Sequence, residues 1–183
     1  MHLCLFLIIV PFTQGLSQVS VVNRCPFVVF LKSVQQDVSQ VQELGFSQIY
    51  SEAYRPVING TGVSIKITTN RKVGEEVDEQ KRSAEFDNSP VTQLEYSYVP
   101  SNGPVDLFYD ISAIDDSPER QFCQYGYQLH TTSFRCDSVH CPTRCDAFCP
   151  HVYNLPDDNW ATHGCTSDVG LELVLCTSYT DMP

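Results

Sequence analysis

The stretch VTQLEYSYVPSNGPVDLFYDIS, residues 91–112, decides the fold. Leu94, Tyr96 and Tyr98 recur at every second position before Pro100, and Leu107, Tyr109 and Ile111 do the same after Pro104. A period of two marks a half-buried strand, and the Pro/Ser/Asn/Gly cluster between the runs marks a turn. An antiparallel hairpin must bring the two apolar sets to one face, because a slip of one residue would bury the polar set instead. The register that does so pairs Leu94 with Ile111, Tyr96 with Tyr109 and Tyr98 with Leu107. On the opposite face it sets Glu95 directly across from Asp110. Facing carboxylates repel each other unless they share a proton or a cation or polar ligand bridges them.

Working outward, runs of similar composition occupy 19–23, 27–33, 62–68 and 171–176, separated by Pro, Gly, Asn and Ser clusters. Together with the hairpin they predict an all-β chain. Helical periodicity is scarce, and a single turn is expected near 38–44. Residues 74–87, GEEVDEQKRSAEFD, are charged and almost free of apolar side chains. They read as a solvated loop within a charged segment over 74–90. Inside it, Lys81-Arg82 before Ser83 resembles a dibasic processing site at a loop tip. If it were cut, Cys25 would keep the fragments joined. Asn59-Gly60-Thr61 is the one N-x-S/T sequon with no proline at x, so Asn59 is the expected glycosylation site.

The chain has 183 residues. Its first stretch carries an apolar run from Leu3 to Phe12 followed by Thr13, Gly15 and Ser17, the pattern of a secretory signal peptide. Residues 1–17 are therefore expected to be removed, leaving one domain over 18–183. Of nine cysteines, Cys4 would leave with the signal, and an even set of eight fits an oxidised extracellular protein with four bridges. His140, His151 and His163 lie among these cysteines, but secretion argues against a thiolate zinc site, so neither metal nor cofactor is expected. The formal net charge of -11 repels phosphate backbones and anionic lipids. Nucleic acid and membrane are thus excluded as expected partners, while a neutral glycan or an extracellular host protein fits a secreted, soluble monomer.

The C-terminal third carries a resemblance. Cys149-Pro150-His151-Val152-Tyr153, Pro156-Asp157-Asp158, Cys165 and Leu173-Val174-Leu175-Cys176 resemble the closing signature of thaumatin-like proteins. Val21-Val22-Asn23-Arg24-Cys25 is similar to that family's opening strand, 108–115 to its F-Y-D-V-S-L-V-D segment, and Cys136 with Cys141 to its C-x4-C pair. The blocks at 50–55, 62–66 and 153–158 resemble a narrower branch, the small fungal yeast-phase-specific antigens.

The resemblance implies a thaumatin-like antiparallel β-sandwich whose disulfide-rich second domain is reduced, since 141–149 is compressed to CPTRCDAFC. That domain forms one wall of the family's cleft, so a shallow cleft is expected. The resemblance also implies the bridges Cys25–Cys176, Cys136–Cys165 and Cys141–Cys149, which leave Cys123 with Cys145. The family's acidic cleft is associated with β-1,3-glucan binding and, in some members, weak glucan hydrolysis. Its positions match Glu95, Asp110, Asp115 and Asp158 here, with Lys66 or Arg71 nearest to the family's arginine. For hydrolysis, Glu95 would serve as acid and Asp110 as nucleophile or base, at the spacing of about 5 Å that retaining glycosidases use. The structural alternative is that Asp115-Asp116 and Asp157-Asp158 hold turns. Trp160 is expected either to stack on a sugar at the cleft edge or to be buried near Cys136 and Cys165. Three roles follow: a wall-polysaccharide-binding module, an antigen or host-directed effector without a glycan site, and a weak endo-β-1,3-glucanase.

Overall fold

The computed structural model describes residues 17–74, 78–100, 103–117, 120–143 and 148–179. Residues 1–16, within the expected signal segment and including Cys4, lie outside the described residues, as does Cys145. Among the described residues eleven strands run in chain order: β1 Gln18–Asn23, β2 Val29–Val34, β3 Gln42–Leu44, β4 Ile49–Ala53, β5 Val63–Thr68, β6 Thr92–Tyr98, β7 Leu107–Ser112, β8 Tyr127–Thr131, β9 Val139–Cys141, β10 His163–Cys165 and β11 Leu171–Leu175. They form one sheet in the order β4-β1-β11-β8-β9 and a second in the order β10-β7-β6-β5-β2-β3.

Alternating apolar residues build the space between the sheets. Val19 and Val21 on β1 and Leu171, Leu173 and Leu175 on β11 meet Leu31, Ile65, Leu94, Tyr109 and Ile111 from the other sheet in one buried core. Interdigitated inner faces of this kind are what hold a sandwich together. Among the described residues the strand pairs are antiparallel except β1 with β11, which run parallel with Val19 opposite Leu171. The first and last strands thus enter the sheet side by side in the same direction. Just beyond them Cys25 and Cys176 are bridged, with Cα atoms 5.0 Å apart. Cys136–Cys165 and Cys141–Cys149 are bridged too, at Cα separations of 5.7 and 5.5 Å. Cys123 is disulfide-bonded.

The charged segment is not a bare loop. A 3-10 turn, Arg71–Gly74, precedes helix α1, Glu79–Asp87, which Asp78 caps by accepting the Lys81 N–H at 2.8 Å. The helix lies on the outer face of the second sheet, where Phe86 joins Phe30, Val41, Val73 and Val91 in a small core of their own. Ser83, Phe86 and Asp87 share the docked helical face, three and four residues apart. Only one of the three is apolar, so composition hid the amphipathicity. The expected turn near 38–44 is also absent: Val38 bridges Val34, and β3 pairs with β2 so that Leu44 faces Val29. Val41 and Leu44 fit a helical spacing, but residues 42–44 pair with β2 as an edge strand instead.

The block at 50–55 ties the two sheets together. Glu52 on β4 accepts hydrogen bonds from Tyr50 Oη (2.8 Å), Tyr96 Oη (2.8 Å) and Ser33 Oγ (3.1 Å), and Arg55 lies within 3.3 Å of it. Tyr96 and Ser33 belong to the opposite sheet, so this polar knot closes the sandwich where hydrophobic contacts end.

Candidate functional site

The expected hairpin register is present in full. Leu94 faces Ile111, Tyr96 faces Tyr109, Tyr98 faces Leu107, and Glu95 lies directly opposite Asp110. On the other side of β6, Ser64 of β5 faces Glu95 and Lys66 faces Gln93. A row Val34–Ser64–Glu95–Asp110 therefore runs across four strands on the outer face.

Above this row lies a groove of about 450 Å³, lined by Gln35, Thr61, Ser64, Ser97, Phe108 and Thr162 in addition to the acids. Its floor needs glycine at position 62. A Cβ there would collide with Ser97 Oγ and would sit 2.6 Å from the Tyr96 carbonyl oxygen.

Glu95 and Asp110 are hydrogen-bonded to each other. Burial, then the Glu95 charge, pushes the Asp110 carboxyl up to about 8. Burial also raises Glu95, while its hydrogen bonds with Asp110 and Ser64 and the nearby Lys66 charge pull it back. At neutral pH Asp110 is thus the better proton holder and Glu95 the better carboxylate. Asp110 is the more deeply desolvated of the two. The Asp110 Oδ1 atom is buried and has no hydrogen-bond partner among the described residues.

The remaining expected residues divide. Asp115 accepts from Gln93 Nε2 at 3.3 Å, and its charge raises Glu95. It borders a second trough, of about 520 Å³, shared with Lys66, Asp87 and Asn88. Lys66 is therefore the cation beside the acids; for Arg71 only the backbone, in the 3-10 turn, is described. Asp116 holds its loop, accepting from Thr92 Oγ1 at 2.9 Å and Gln121 Nε2 at 2.8 Å. Asp158 is 5 % exposed and accepts the backbone N–H groups of Asn154 (2.9 Å) and Leu155 (3.0 Å). It organises a turn and does not line the groove. Trp160 is not buried: it is 67 % exposed on the 3-10 turn Asn159–Ala161, and its indole N–H donates to the Pro150 carbonyl at 3.3 Å.

Some lining residues went unrecognised in the sequence. Phe108 was within reach, since it shares the outward parity of Asp110. Ser64 was not, because 23 residues, 69–91, separate the paired strands β5 and β6, and no tight turn sets their register. Among the described residues no group of three or more His, Cys, Asp and Glu side chains could hold a metal ion, and no helix is long and apolar enough to cross a membrane.

Chemically, the site is a shared-proton pair that offers one strong acceptor and one donor on a polar floor.

Known proteins are consistent with this architecture. The model of the Blastomyces yeast-phase-specific protein family matches residues 6–177. An antigenic thaumatin-like protein of Arthroderma benhamiae is 32 % identical over 163 residues, covering 88 % of this chain and 72 % of the relative. The secreted thaumatin-like protein calA of Emericella nidulans is 30 % identical over 160 residues, covering 87 % and 81 %. Among solved structures, the protein elicitor MoHrip2 from Magnaporthe oryzae superposes with a TM-score of 0.62 at 20 % identity, covering 87 % of this chain and 98 % of the elicitor. That last likeness is one of fold.

Proposed function

Because the chain belongs to the Blastomyces yeast-phase-specific protein family, a fungal branch of the thaumatin-like proteins, we propose that it is an extracellular protein that binds a neutral wall polysaccharide, β-1,3-glucan, in the groove over Glu95 and Asp110. The observation that carries this reading is the facing acid pair itself, set in an open groove. A neutral sugar presents vicinal hydroxyls that both donate and accept. Ionised Glu95 accepts from such a hydroxyl. Serines 64 and 97 flank the pair, and the Phe108 ring supplies an apolar patch for a sugar face. The surface of net charge -11 suits a neutral ligand and disfavours a polyanionic one. Two relatives bear names that include "secreted" and "antigenic", which agrees with export and a surface location.

Hydrolysis is not part of the proposal. Retention on insoluble β-1,3-glucan tests the reading. The wild-type protein is expected to be retained. A charge-assisted hydrogen bond is worth about 1.5–3 kcal/mol, so Glu95→Gln should weaken retention by about 10- to 100-fold. Wild-type protein that passes through unretained would remove glucan as the ligand and leave an interaction protein without a glycan site. Reducing-sugar release should stay at background.

A further inference from the structure

The sequon Asn59-Gly60-Thr61 occupies the tip of a two-residue hairpin. Ile58 and Thr61 form the closing bridge, with Ile58 N–H to Thr61 O at 3.1 Å and Thr61 N–H to Ile58 O at 2.9 Å. Both tip residues are left-handed, Asn59 at φ 51° and Gly60 at φ 80°, the pattern of a type I′ turn. Asparagine and glycine are the residues that tolerate this conformation. The tip is exposed, and a Cβ built at Gly60 meets nothing within 4 Å. It is nevertheless firmly seated. Gln35 Nε2 donates to Pro56 O at 2.9 Å and to Thr61 O at 3.2 Å, and Val57 N–H donates to Tyr98 O at 2.8 Å. Thr61, Gly62 and Gln35 also line the acidic groove. The sequon asparagine therefore projects from the end of the groove, two residues from its wall.

We propose that Asn59 carries an N-linked glycan, and that this glycan stands at one end of the acidic groove and limits it to short segments or chain ends of a polysaccharide. The first half rests on the turn geometry and the space around the tip; the second half rests on the groove reading proposed above. A bulky hydrated glycan anchored on a rigid tip obstructs a long polymer that must run past it. A short oligosaccharide fits in the groove without reaching that end.

The test uses the full chain secreted from a eukaryotic host. Enzymatic deglycosylation that converts a glycosylated asparagine to aspartate is applied to the folded protein, and Asn59→Asp is made in parallel. Aspartate tolerates the left-handed backbone, so the variant reproduces the enzymatic product. The untreated protein is expected to exceed its polypeptide mass, and both treated protein and variant should lose that excess. A bare polypeptide mass in the untreated protein overturns the assignment. Removal of the glycan should raise retention on insoluble β-1,3-glucan several-fold and leave the affinity for a short soluble β-1,3-gluco-oligosaccharide unchanged. Equal retention before and after overturns the restriction. If none of the forms binds either glucan, the restriction falls together with the groove reading, while the excess mass still decides the attachment site by itself.

Discussion

Lys32 reaches from strand β2 to Asp87 at the end of helix α1, with Nζ 2.8 Å from Asp87 Oδ1, although the lysine side chain is 1 % exposed and the aspartate 63 %. Ser83 supplies two further acceptors, Oγ at 2.7 Å and the backbone carbonyl at 3.3 Å, and the Phe86 ring centroid lies 5.1 Å from the ammonium. The stem of the lysine packs under the helix while its charge is satisfied at the rim. This one side chain explains why a highly charged segment docks on the sheet.

Removal of the partner should therefore be worse than removal of the charge. Asp87→Ala leaves a buried ammonium short of an acceptor and should cost about 1–3 kcal/mol. Lys32→Met keeps the volume and abolishes the need for a partner, and should cost less. Chemical denaturation of the two variants checks the order; Lys32→Met as the more damaging change would contradict this account of the contact.

The acid pair should make stability depend on pH. Asp110 has an ordinary carboxyl value of 3.8 when unfolded and about 8 in the fold. The folded state therefore binds the proton more tightly, and stability is fully present below the lower value and declines as pH rises towards 8. Asp110→Asn should flatten this decline and be more stable than wild type at pH 8, as read by thermal unfolding from pH 4 to pH 9. An unchanged slope would mean that the pair is not buried as described.

The bridges should differ in weight. Cys25–Cys176 spans a sequence separation of 151 residues and Cys141–Cys149 one of 8. In the chain-entropy treatment these loops contribute about 5 and about 2.5 kcal/mol. Paired serine replacements, Cys25→Ser with Cys176→Ser and Cys141→Ser with Cys149→Ser, measured by denaturant unfolding should fall in that order. The first pair also fastens the parallel β1–β11 contact at the centre of its sheet, which adds to its effect.

The dibasic pair should resist cutting in the folded protein. Lys81 and Arg82 lie in the first turns of α1, where Arg82 approaches Glu43 at 3.8 Å and Lys81 approaches Glu85 at 3.9 Å. A protease needs this segment opened first, so cleavage tracks local unfolding. Mass analysis after exposure to a dibasic-specific protease should find the bond after Arg82 intact in wild type and cut in Phe86→Ala, which releases the helix. Equal cutting in both would restore the loop reading.

What was readable in the sequence was whatever a strand imposes on itself. The period of two in 91–112, together with two buried tyrosines, left one register for the hairpin, and that register placed Glu95 against Asp110. The closing cysteine pattern likewise pointed to the family and to the bridges Cys25–Cys176, Cys136–Cys165 and Cys141–Cys149. Burial and partnership were decided only in three dimensions, because they depend on atoms from distant segments. Helix α1 exists where Phe86 and Lys32 meet across 54 residues, and its own composition does not announce it. Desolvation pushes the Asp110 carboxyl up, and that burial is a property of the surrounding sheet. Asp158 has the same residue type as the groove acids, yet two backbone N–H groups claim it for a turn, and Trp160 is left at the surface by the same local chain path.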